Sequence, residues 1–83
     1  MAFMDPNAVV DQLAMAGRHV TDCHLHVARQ RQIVESLARQ GQDNARSSAL
    51  LELFEELLAK HIKHRDLCRA EAAAIMKQLP GIT

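Results

Sequence analysis

The sequence predicts an all-α protein, a single long antiparallel helical hairpin. Three features lead there. Apolar residues recur in steps of three and four along two stretches of roughly 35 residues each. The 48% apolar content is carried by Ala, Leu, Val, Ile and Met, with two Phe and no Tyr or Trp, whereas sheets draw on aromatic side chains. Between the stretches lies one short break, Gly41 to Asp43.

The first helix is expected over residues 5–40. Asp5 can accept a hydrogen bond from a free backbone N–H, and Pro6 suits the first helical position, where its missing N–H costs nothing. Leu13, Val20, Val27 and Val34 then recur every seven residues, with Val9, Ala16, Cys23 and Leu37 between them. Gln30 interrupts that second series. The stripe is coiled-coil-like and covers one face. Gly17 lies inside it, and one glycine costs about 1 kcal/mol without ending a helix.

Gly41 stops the first helix, because glycine readily takes the left-handed conformation common at helix C-termini. Residues 41–43 form the turn, and Asp43 offers a cap for a second helix over residues 44–79. Its stripe reads Leu51, Phe54, Leu58, His61, Arg65, Cys68, Ala72, Ile75 and Leu79, widened by Leu50, Leu57 and Ile62. No proline or glycine forces a break near His61 to His64, and Pro80-Gly81 closes the helix.

So short a connection makes the helices antiparallel neighbours. Folding about Gly41 and Gln42 sets residue numbers totalling roughly 85 opposite each other. Val34 then faces Leu51, Val27 faces Leu58, Val20 faces Arg65, and Ala16 faces Cys68. Two helices cannot enclose a core, and the second stripe is wider than one partner covers. The expected remedy is a homodimeric four-helix bundle whose interface and core include Val20, Val27, Leu51, Phe54, Leu58, His61 and Arg65. A different protein partner satisfies the same physics. Arg65 in the stripe needs a carboxylate: Asp22, Asp66 or one from a partner.

Composition narrows the function classes. Ten Lys and Arg balance ten Asp and Glu, so no overall field draws nucleic acid or an anionic membrane. Arg29, Arg31, Arg39 and Arg46 gather near the turn but carboxylates intersperse them, and no aromatic platform exists for single strands. No apolar run approaches the length of a membrane span. The first residues lack a signal peptide's basic and apolar regions, so a cytoplasmic setting with reduced thiols is expected. Cys23 and Cys68 are too few for a disulfide scaffold and stand out of register for one bond.

Five histidines cluster with the two cysteines. His19, Cys23 and His26 share a face of the first helix; His61, His64 and Cys68 share one of the second. The folding rule brings Cys23, His26, His61 and His64 together, a ligand set that suits four-coordinate zinc. The competing account makes His61 a hydrogen-bonded stripe residue, the edge histidines amphipathic, and the cysteines small hydrophobes. No cofactor is otherwise expected. Cys68 and His64 have nucleophile–base spacing, but two packed helices offer no evident pocket, so no catalytic residue is assigned.

His19-Val20, the run His26-Val27-Ala28-Arg29-Gln30-Arg31, Gly41, Asp43, Leu50-Leu51, Phe54-Glu55, Leu58, His61 and Arg65-Asp66 resemble a group of short bacterial proteins. That group is identified only as small helical hairpins of unknown function. The resemblance spans about residues 18–67 and implies the hairpin but no activity. The sequence departs from that pattern at Cys23, where glycine is expected, at His24, where a carboxylate is expected, and at His64. His19, His26 and His61 fit it. The functional expectation is a non-catalytic interaction or scaffold module acting as a homodimer. The alternatives are a His/Cys metal-binding bundle and a small regulator of a larger protein.

Overall fold

A computed structural model describes residues 5–78 and consists of two α-helices, α1 (Pro6–Arg39) and α2 (Ala45–Gln78), packed against each other as a hairpin. The expected end at Leu79 and the Pro80-Gly81 stop lie outside the described residues.

The ends follow from local chemistry. Asp5 has extended backbone (φ −61°, ψ 129°), and its Oδ1 accepts the Asn7 N–H at 3.1 Å, with Pro6 opening the helix. At the far end the Gln42 N–H donates to the Leu37 carbonyl at 2.9 Å and the Gly41 N–H to the Ala38 carbonyl at 3.1 Å. Gly41 has φ 69°. This is the double-bonded cap that a left-handed residue makes possible. The Asp43 Oδ1 then accepts the Ala45 N–H at 3.0 Å, while the Asn44 carbonyl takes the first turn's bond from the Ser48 N–H at 2.8 Å. The capping carboxylate thus comes from the residue before the one that caps by position. α2 runs unbroken through His61 to His64.

Packing is a single seam. Val9, Ala16, Val20 and Val27 of α1 and Cys68 of α2 are buried. Leu51, Phe54, Leu58, His61, Arg65, Ala72 and Ile75 of α2 are half-buried. The seam's buried polar residue is Gln30, whose Nε2 donates to the Ser47 carbonyl across the hairpin at 3.0 Å. No described side chain is fully buried.

The result is a rod of 63 × 26 × 14 Å with a radius of gyration of 18.6 Å, against about 12 Å for a compact chain of this length. It exposes 6510 Å², where a compact monomer of 9.3 kDa exposes roughly 5000 Å².

The two described glycines make opposite predictions. Neither has an atom within 4 Å of an added Cβ, but only Gly41 has positive φ. Gly17→Ala is expected to raise unfolding free energy by about 0.8–1 kcal/mol through helix propensity. Gly41→Ala is expected to lower it by about 1–2 kcal/mol through left-handed strain. Urea melts of both variants check the signs.

Candidate functional site

A helix turns about 100° per residue, so the seam leaves two flanks running the length of the rod. On α1, Met15, His19, His26 and Ile33 fall on one flank; Met15 and Ile33 are eighteen residues apart, five whole turns. On α2, Leu50, Leu53, Leu57 and His64 form the matching stripe. Direct contacts place both stripes on one side. The His19 and His61 rings meet edge to face with centroids 5.3 Å apart. His26 lies against Phe54 at 5.9 Å. An open groove of about 260 Å³ is lined by Gln12, Met15, Ala16, His19 and His64.

The opposite flank is charged. Arg31 pairs there with Glu55 at 3.6 Å, both side chains about half exposed. Arg65 turns from the seam toward Asp66, with Nη2 at 3.1 Å and Nε at 3.3 Å from Oδ1. Of the three carboxylate sources weighed for Arg65, the neighbour in sequence supplies it, and the Arg65 side chain stays 27% exposed. The Glu56–Lys60 spacing suited to an ion pair is not among the pairs formed by the described residues.

The set Cys23, His26, His61 and His64 is divided among different contacts. His61 meets His19, one turn before Cys23. His26 takes Phe54 as neighbour. His64 Nε2 lies 3.6 Å from the Cys68 sulfur, and Cys23 is half-buried. Among the described residues no group of three or more His, Cys, Asp or Glu is placed to hold a metal ion. Both cysteines are free. The loop-centred register describes seam positions such as His61, whereas His19, His26 and His64 lie on a flank. A flanking residue precedes or follows its seam neighbour by part of a turn, so flank partners are offset from seam partners.

His64 and Cys68 have the elements of a thiol–imidazole pair, but a nucleophile must also be reached by substrate and faced by oxyanion donors. Cys68 is only 6% exposed. What the flank offers chemically is a band of imidazoles, His19, His61, His64 and His26, set among exposed Leu, Met and Ile side chains. Sequence reasoning missed two of its features. Gln30 read as an interruption and is a cross-helix tie; a lone amide inside a heptad series is the signal that could have found it. His19 had been left out of the converging set because partners were counted along the seam.

No protein-family description, no curated protein and no solved structure gives a match to this chain.

Burial separates the two thiols. Under native conditions Cys23 is expected to react with a maleimide or disulfide reagent well ahead of Cys68, both titrating fully in denaturant. Equal native rates, or fewer than two thiols in denaturant without reductant, contradict the placement described.

Proposed function

We propose that this chain is a non-catalytic helical interaction or scaffold module that works as a homodimer, two hairpins completing a four-helix bundle. The observation that carries the reading is exposed surface. The chain shows 6510 Å², about 1500 Å² more than a compact monomer of its mass. Obligate homodimers bury about 2,000–5,000 Å² in total, so removing the excess from both copies falls inside that range. Nine large apolar side chains with 39–61% exposure support the same reading, since exposed apolar patches mark interaction surfaces.

The alternative of a zinc-type bundle draws on two side-chain pairs, His19–His61 and His64–Cys68. Elemental analysis of untagged protein tests it, as does a melting temperature that rises with added zinc. No helix among the described residues is long and apolar enough to cross a membrane.

Sedimentation equilibrium at neutral pH is expected to return twice the 9.3 kDa chain mass down to low micromolar concentration. A well-folded species of single-chain mass at hundreds of micromolar overturns the homodimer and favours a hairpin that awaits a different protein.

A further inference from the structure

The homodimer reading leaves open which surface is used, and the two flanks are not equivalent. We propose that the second copy docks on the flank carrying Met15, Ile33, Leu50, Leu53 and Leu57, so that the histidine bands of the two copies face each other. This rests on the homodimer reading and adds the surface to it.

Five of the nine large exposed apolar side chains are those five, at 39–51% exposure. Leu67 follows Leu53 by fourteen residues, two heptads, and extends the same flank toward the open end. Leu25 points away from the seam on the outer face of α1, and Val10 and Met76 fall on the opposite flank at the open end. That opposite flank also holds the Arg31–Glu55 and Arg65–Asp66 pairs. Covering it removes charges from water, a cost that only excellent geometry recovers. The Leu-bearing flank instead presents apolar side chains and rings, the composition of a dimer contact's centre.

Symmetry then places the histidines. His19 and His61 lie near the middle of α1 and α2. A two-fold dimer of rods that overlap fully either reverses the partner about the midpoint or runs it alongside in the same direction. In both arrangements the middle of one rod meets the middle of the other. The band formed by His19, His26, His61 and His64 therefore faces its own copy whichever arrangement holds.

The test uses the full chain, with far-UV circular dichroism confirming helicity. Leu53→Glu puts two carboxylates into a symmetric contact and is expected to weaken dimerisation about 100-fold or more. Leu25→Glu, on the outer face of α1, is expected to leave it within about 3-fold, as surface substitutions do. Because both sites are at least half exposed in the hairpin, the fold tolerates either change. Wild type is expected to be dimeric at pH 7.5. If wild type is dimeric but Leu53→Glu does not weaken it, the flank assignment fails and the homodimer stands. If wild type is monomeric at pH 7.5, the homodimer reading itself fails.

Discussion

A helix can shield only the strip of itself that touches a neighbour, and in a two-helix hairpin each helix has one neighbour. Every notable property of this protein descends from that limit. The seam buries small side chains of α1 such as Val9, Ala16, Val20 and Val27, while larger residues of α2, among them Leu51, Phe54 and Leu58, stay half in water. Narrow valines and an alanine on α1 let the rods approach; bulky residues on α2 then spill past the seam onto the flanks. Length compensates for width, since two helices of 34 residues repeat the contact along about 50 Å.

The same limit explains why polar residues are tolerated in the stripe. A charge or amide in a closed core is costly unless fully paired. Here Arg65 keeps part of its guanidinium in solvent while holding Asp66, and His61 lies half-buried against His19. Gln30 is the exception, buried and satisfied by the Ser47 carbonyl near the turn. A single amide tie between helices that otherwise meet through interchangeable aliphatics fixes one register over its neighbours, as a lone polar residue does in coiled coils. It sits close to the capped turn, so cap and tie together define how the rods start to pair.

Much of this was legible in the residues because helix ends are decided locally. Asp5-Pro6 opens α1 and Gly41 closes it for reasons contained within a few residues, and the seven-residue spacing of the valines names the buried face directly. The site was less legible because it depends on relations between helices that no periodicity encodes. Counting partners from the turn locates the seam but not the flanks, which is why the contact between His61 and His19 was not foreseen. The role of Gln30 was hidden for the opposite reason: a polar residue within an apolar series reads as a defect until its acceptor is known. The preference for one flank emerges only when exposed leucines and ion pairs are assigned to opposite sides of the rod.

Thermal melting followed by circular dichroism over a thousandfold range of chain concentration tests most directly whether the hairpin is incomplete alone. A protein whose folded form needs its second copy melts at a temperature that climbs steadily with concentration. That climb is the result expected here at neutral pH. A melting temperature constant across the range, with full helicity at the lowest concentration, would mean that one seam between two helices is sufficient and would contradict the account.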